Sequence, residues 1–322
     1  MFANEKIERM CQSDLRDLQL ARLKKAVAWA SEKSAFYQKK FANVSASQIE
    51  SLEDIEKLPF TALPAILNTS PFDFLTRPLS GILRISCHKH TGAVVKMYTN
   101  GDIAKNVDML TRALAATGVH RASVVGILGD MSDGRLLDLQ MAAEVIGATT
   151  VLLGEDMQTA VELVRLTGMD TLLASQPLVM QLIVHAQMKN IEPSTLPLKV
   201  VVCLNEAISN PMKRHICERM QTEVHDLFAS TELGTAGLFF PCGKGQGHHV
   251  QEDYCYTELI EFSGAKVIHE AGRMGELVVT MLAAEAMPLI RYRTGQAVMR
   301  LDEPCACGRA FVRLVTPFGL TH

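Results

Sequence analysis

Four groups of residues have the types and spacing to do chemistry. Cys305-Ala306-Cys307-Gly308 is a C-x-C turn, and Cys242 with His248 or His249 lies on a glycine-rich stretch about 60 residues earlier. Three thiolates and one imidazole make a Cys3His set, the closed tetrahedral donor set that structural zinc prefers. Two thiols on a tight turn can also stand unliganded, and Cys255 can replace one ligand. The second group, Phe228-Ala229-Ser230-Thr231-Glu232-Leu233-Gly234, follows a run that reads as a strand, Glu223 to Phe228. It therefore falls where open α/β sheets place their ligands. There the Thr231 hydroxyl can hold a phosphate oxygen and the Glu232 carboxylate a divalent cation; alternatively, Ser230 caps a helix with Glu232 in its first turn. The third, Ser86-Cys87-His88-Lys89-His90-Thr91-Gly92, lies between strand-like runs, Ile82 to Ile85 and Val94 to Tyr98. Backbone N–H groups and the Thr91 hydroxyl of such a turn can bind phosphate, with Lys89 or Lys96 adding positive charge. The plain alternative is a polar hairpin turn, since the run holds one glycine and is no Walker A motif. In the fourth, Pro288-Leu289-Ile290-Arg291-Tyr292-Arg293-Thr294-Gly295, two permanently charged guanidiniums can fix a ribose or phosphate, or alternate on the wet face of a strand.

The elements that must position these groups follow from periodicity. Residues 14 to 42 read as one helix, with Leu15, Leu18, Leu23, Ala26, Val27 and Ala30 at helical spacing. Leu58-Pro59-Phe60-Thr61 is extended, because the proline restricts the residue before it. From residue 100 short apolar runs alternate with amphipathic helices: strands at Ser123–Leu128, Thr149–Leu153, Thr171–Ala174, Leu198–Leu204 and Glu223–Phe228, and helices at Asp102–Thr117, Arg135–Ile146, Met157–Thr167, Pro177–Lys189 and Pro211–Met220. That alternation predicts an α/β fold, a parallel sheet with helices on both faces. After Phe228, glycines crowd a loop, and Tyr254–Phe262, Gly275–Met281 and Gln296–Arg300 predict a small antiparallel β-rich portion. The expected organisation is an N-terminal helical segment (1–70) packed on the main domain, an α/β region (71–230), and a glycine-rich loop with the β-rich portion and the zinc site (231–322).

Composition narrows the function classes. The 322 residues are 48% hydrophobic and 21% charged, which excludes a mainly disordered chain. A net charge of −3, without blocks of like charge, gives no footprint for nucleic acid or an anionic membrane. The polar N-terminus and the lack of any run of about 18 apolar residues predict a soluble, cytoplasmic protein. Eight cysteines are too few for a disulfide scaffold, and Cys11, Cys87, Cys203 and Cys217 read as ordinary free thiols. No G-x-G-x-x-G opens any helix, which disfavours a dinucleotide fold. The apolar content, with 16 Met, leaves room for a homodimer interface.

Together, Ser34-Ala35-Phe36-Tyr37, Leu58-Pro59-Phe60-Thr61, Glu285-Ala286-Met287-Pro288-Leu289-Ile290-Arg291-Tyr292-Arg293-Thr294 and Cys305-Ala306-Cys307-Gly308-Arg309, in that order, resemble the phenylacetate–coenzyme A ligase family of AMP-forming, adenylate-forming enzymes. The resemblance covers nearly the whole chain. It implies the N-terminal domain of an adenylating enzyme, in which ATP, Mg and a carboxylic acid, often aryl, give an acyl-adenylate and pyrophosphate, and coenzyme A then displaces AMP. It further implies that Thr231 and Glu232, beside Ser230, contact phosphate and Mg, that Asn205-Glu206 sits at the adenine turn, and that Arg293 lies in the strand leading to the ribose contact. Gly247, His249, Glu252 and Asp253 look like a Gly-x-His-x-x-Glu-Asp stretch of the family, which makes His249 rather than His248 the partner of Cys242, Cys305 and Cys307.

This sequence departs from the family pattern in four places. Only Thr91-Gly92 survives of the phosphate loop, leaving Lys89 or Lys96 to assist the phosphates. Gln296 replaces the ribose-binding aspartate, and Leu204 and Ala207 replace the glycine and proline of the adenine turn. The family's smaller C-terminal domain, with its catalytic lysine, is expected to be absent, leaving a second protein to supply it or the product to stay an adenylate. A non-catalytic relative, acting as a nucleotide- or acid-binding or regulatory module, is the alternative expectation.

Overall fold

A computed structural model describes residues 1–43, 48–88, 94–205 and 207–317, with backbone only at His88 and Asn205. The N-terminal segment carries α1 (Glu5–Glu8), α2 (Gln12–Lys33), α3 (Ala35–Lys40) and α4 (Leu63–Leu67). The single helix expected over 14–42 is thus two. Ser34 breaks it by adopting an extended backbone, while its hydroxyl accepts from the Tyr37 N–H and donates to the Asp73 carbonyl at 2.7 Å. A serine side chain competes with the helix for backbone partners, and here it caps the next helix. Leu15, Gln19, Leu23, Ala26, Val27 and Ala30 form the buried stripe of α2. Thr61 is extended as expected and bridges Tyr292: its N–H donates to the Arg291 carbonyl, and its own carbonyl accepts from Arg293, both at 2.8 Å.

A two-stranded antiparallel hairpin, β1 (Arg84–His88) and β2 (Val94–Tyr98), precedes the α/β region. That region runs α5 (Asn100–Ala116), β3 (Val124–Leu128), α6 (Gly134–Ile146), β4 (Thr149–Gly154), α7 (Met157–Leu166), β5 (Thr171–Ser175), α8 (Gln176–Met188), β6 (Val200–Asn205), α9 (Asn210–Met220) and β7 (Glu223–Phe228). A reciprocal Thr99–Asp102 capping box starts α5, and Gly147, at φ 90°, ends α6 in the left-handed region that a side chain rarely adopts. The five strands are parallel in the order β4-β3-β5-β6-β7. Successive strand residues point to opposite faces. Val125, Ile127, Leu173, Val202 and Leu204 pack with α5 and α6, whereas Leu128, Leu172, Ala174, Val201 and Cys203 pack with α7, α8 and α9. Both faces are covered, which is why these strands read as unbroken apolar runs.

The remaining strands are β8 (Phe239–Phe240), β9 (His248–Val250), β10 (Cys255–Ile260), β11 (Met274–Met281), β12 (Tyr292–Leu301) and β13 (Arg313–Val315). They continue the same sheet, antiparallel, outward from β7 in the order β8-β9-β13-β12-β11-β10, giving eleven strands in all among the described residues. β12 begins at Tyr292, four residues earlier than its apolar pattern indicates, and Arg291 is not on a wet face. It is 3% exposed, forks Glu258 at 2.7 and 3.1 Å, donates to the Glu56 and Leu58 carbonyls, and stacks on Phe60. Removing one member of a buried ion pair leaves the other charge unmatched. Arg291→Met is therefore expected to destabilise the protein by about 3–5 kcal/mol in denaturant unfolding, and the double change with Glu258→Met to recover part of that loss. A single variant as stable as the parent would remove this structural role. No helix among the described residues is long and apolar enough to cross a membrane.

Candidate functional site

A cavity of about 650 Å³ opens at the C-terminal ends of β5, β6 and β7. Ser175, Leu204, Ser230, Thr231 and Glu232 line it together with Glu276, Tyr292, Arg293 and Gln296, and Arg135 of α6 adds a cation to the lining. Chain direction explains the place: parallel strands end together on one side, and the loops after them converge there. Residues Thr231–Leu233 form one 3-10 turn, closed by Gly234 at φ 76°. Ser230 precedes that turn, but its hydroxyl makes no backbone cap; it bonds to the Glu232 carboxylate instead. The capping alternative for Ser230 therefore fails.

Glu232 is 7% exposed. The Tyr292 hydroxyl interacts with both Ser230 and Glu232, and burial together with the Glu232 charge pushes it far above the usual phenol range, so it stays a neutral donor. Behind this turn, the Gly234 carbonyl accepts from Tyr98 Oη at 3.0 Å and Asn106 Nδ2 at 3.3 Å. Asn106 also donates to Asp138, which takes Arg84 of the hairpin at 2.6 Å. The hairpin, α5 and α6 thereby brace the Thr231–Glu232 turn from outside the cavity.

The structure brings Ser230, Thr231, Glu232, Arg293 and Gln296 together around this one cavity. Arg293 is not a free cation there, because its guanidinium forks Glu276. Gln296 Oε1 is buried without a hydrogen-bond partner among the described residues, an acceptor awaiting a donor. Lys96 lies on the far side of Glu232, lining with it a smaller cavity of about 80 Å³. Its amine donates to the Met287 carbonyl at 3.3 Å, and burial lowers its pKa to about 8 against the upward pull of Asp102 and Glu232. Lys89, Thr91, Gly92 and Glu206, with the Asn205 side chain, lie outside the described residues. Arg135, Tyr98, Asn106 and Asp138 carried no sequence signal, being single polar residues in otherwise ordinary elements.

The second constellation is a metal-ligand cluster. The ligand atoms of Cys242, His249, Cys305 and Cys307 all lie within 4.8 Å of one another. Cys242 and Cys305 sulfurs are 3.5 Å apart, and Cys307 Sγ is 3.3 Å from His249 Nε2. Bonds of about 2.0–2.3 Å in a tetrahedron set ligand-to-ligand edges of about 3.3–3.8 Å, a range into which the Cys242–Cys305 and Cys307–His249 pairs fall. His249 Nδ1 faces the Phe311 carbonyl at 3.0 Å. A carbonyl only accepts, so the proton sits on Nδ1 and the Nε2 lone pair is left for a metal. His248 points elsewhere, its Nε2 3.0 Å from Asp226 Oδ1, because adjacent strand residues face opposite ways. Cys255 is packed in the core among β10 and β11, where burial pushes its thiol up, and offers no ligand. Gly245 passes so close that a Cβ there would meet Cys305 Sγ at 2.9 Å.

No protein-family profile matches the chain. Among curated proteins, it is 28% identical to the phenylacetate–coenzyme A ligase of Thermus thermophilus, across 100% of this chain and 74% of that protein. It is 29% identical to the enzyme of the same name from Aromatoleum evansii (94% and 70%) and 28% to that of Escherichia coli (91% and 70%). Among solved structures, 2-hydroxyisobutyryl-CoA ligase in the postadenylation state, in complex with 2-HIB-AMP, superposes with a TM-score of 0.89 at 20% identity, over 98% of this chain and 69% of that one. A benzoate CoA ligase from Burkholderia xenovorans gives a TM-score of 0.52 at 14% identity, over 74% and 49%. The fold is that of adenylate-forming CoA ligases.

Proposed function

The chain belongs to the phenylacetate–coenzyme A ligase family, and from that premise we propose that it binds ATP with Mg in the 650 Å³ cavity and activates a small carboxylic acid as its adenylate, with coenzyme A as the acceptor. One observation carries this reading: a buried carboxylate, Glu232, is held by neutral hydroxyls at the C-terminal ends of parallel strands, lining one cavity with the unpartnered oxygen of Gln296. Glu232 holds the cation and Thr231 a phosphate oxygen. Gln296 Oε1 accepts from a ribose hydroxyl, and Asn205 and Glu206 contact the adenine. Thr91, Gly92 and Lys89 contact the phosphates. Bound Mg supplies charge neutralisation on the phosphates. Zinc at Cys242, His249, Cys305 and Cys307 is structural.

Acid-dependent pyrophosphate–ATP exchange with a panel of aryl and alkyl acids tests this. No exchange, together with no ATP-induced thermal shift, would overturn it. A binding or regulatory module is the second reading, favoured by Arg293 being tied to Glu276 instead of free for a phosphate; it predicts the thermal shift without the exchange.

Lys96 gives a separate test. Its folded pKa of about 8 lies below the ordinary 10.5. Folding therefore carries a full penalty below pH 8, relieved as pH rises from 8 towards 10.5. A depression of that size corresponds to about 3 kcal/mol. Lys96→Met is expected to raise stability at pH 7 by up to that amount, to flatten the rise in stability above pH 8, and to lower exchange. Unfolding midpoints across pH 7–10.5 check it, and an unchanged alkaline slope would sink the assignment.

A further inference from the structure

Arg135 stands in the first turn of α6, its side chain 8% exposed, lining the same cavity as Thr231, Glu232 and Gln296. Its Nε and Nη2 fork Asp133, with Nε at 3.0 Å and Nη2 at 2.6 Å. Asp133 also accepts the Arg135 backbone N–H at 3.0 Å, so one carboxylate fixes both the main chain and the plane of the guanidinium. Nη1 makes no hydrogen bond among the described residues. A guanidinium offers five N–H donors and no acceptor, so with Nε and Nη2 held by Asp133 the Nη1 edge is left open to a ligand in the cavity. The other cavity guanidinium, Arg293, is already closed by Glu276.

The neighbourhood points the same way. β3 and β5 are adjacent in the sheet, pairing Leu128 with Ala174, so the loop leading to Arg135 and the β5 end at Ser175 rise side by side. Ser175 and Gln176 add a hydroxyl and an amide to the lining there. A cation flanked by neutral hydrogen-bonding groups recognises an oxyanion; a bare aryl or alkyl tail offers it no acceptor.

Building on the adenylation reading, we propose that the acid activated here carries a second carboxylate, bound by Arg135 Nη1 with Ser175 and Gln176 beside it, so that the chain selects dicarboxylic acids. One carboxylate oxygen bonds to the α-phosphorus of ATP, the α–β bridging P–O bond breaks, and pyrophosphate leaves with the electron pair. The second carboxylate is unchanged and serves only as the handle.

The test compares succinate and glutarate with butyrate, valerate and phenylacetate in pyrophosphate–ATP exchange, for the parent, Arg135→Gln and Arg135→Lys. Each acid's thermal shift with AMP present is recorded alongside. The parent should prefer the diacids at least about 10-fold. Arg135→Gln should lose on the order of 100-fold in kcat/KM for the diacids alone, and Arg135→Lys, which keeps the charge but not the fork, should fall between. Equal use of neutral-tailed acids overturns the proposal. So does a uniform loss for all acids with weakened ATP binding, which would place Arg135 on a nucleotide phosphate. If no acid supports exchange, the adenylation reading fails by itself. The diacid site then stands if glutarate, and not valerate, raises the melting temperature in an Arg135-dependent way, and falls if it does not.

Discussion

Glu232→Gln is expected to reduce acid-dependent pyrophosphate–ATP exchange by about 1,000-fold or more while leaving the fold intact. The substitution keeps the shape and one carbonyl oxygen to accept from Ser230 and Tyr292, the two hydroxyls against the native carboxylate. What it removes is the negative charge, and a hard cation takes oxygen ligands chiefly for their charge. Lys96 also loses one of the two charges that support its protonation, so the change withdraws a cation site in front and a counter-charge behind. Tyr292→Phe and Ser230→Ala each remove one supporting hydroxyl and keep the charge, and are expected to cost about 10- to 100-fold. Exchange at near-parental rates in Glu232→Gln, at unchanged melting temperature, would show the cation site to be misplaced.

The sequence revealed whatever was written in local pattern. The parallel strands were legible because both their faces are covered, so Thr171–Ser175 and Val200–Asn205 appear as apolar runs bounded by turn residues. Thr231 and Glu232 were legible because the loop that holds them directly follows such a run. The helix break at Ser34 was not, since apolar spacing runs on towards it and the break depends on where one hydroxyl finds partners. The start of β12 was hidden for a different reason. Arg291 and Arg293 look wet by composition, and their partners Glu258 and Glu276 are 33 and 17 residues away. Spacing could not separate His248 from His249; strand alternation does, sending one ring to Asp226 and the other to the cysteines. Arg135 is the extreme case. A single arginine at a helix start has no pattern, and its meaning comes from the cavity into which the sheet topology turns it.

Cys305→Ser is expected to release about one equivalent of zinc per chain and to destabilise the protein by on the order of 4 kcal/mol or more, and the reason lies in the strands that the cluster joins. β8 has two residues, β9 three and β13 three, yet all three stand in the middle of the eleven-stranded sheet, between its parallel half and the long strands β10 to β12. Ladders that short close few hydrogen bonds for the backbone entropy they fix. The cluster takes Cys242 from just after β8, His249 from within β9, and Cys305 and Cys307 from the turn before β13, so one ion held there would tie every short strand to its neighbour. Elemental analysis of protein purified without added metal checks the stoichiometry, and hydrogen exchange checks the location. With the ion gone, amides of β8, β9 and β13 should exchange first while those of β3, β5 and β6 stay protected. Cys255→Ser disturbs a core thiol that is no ligand, so it should lower stability without releasing zinc. Metal-free protein with the parental unfolding midpoint would mean that Phe239–Phe240 and the packing around β9 suffice to hold the junction, and the four ligands would then need another explanation than stability.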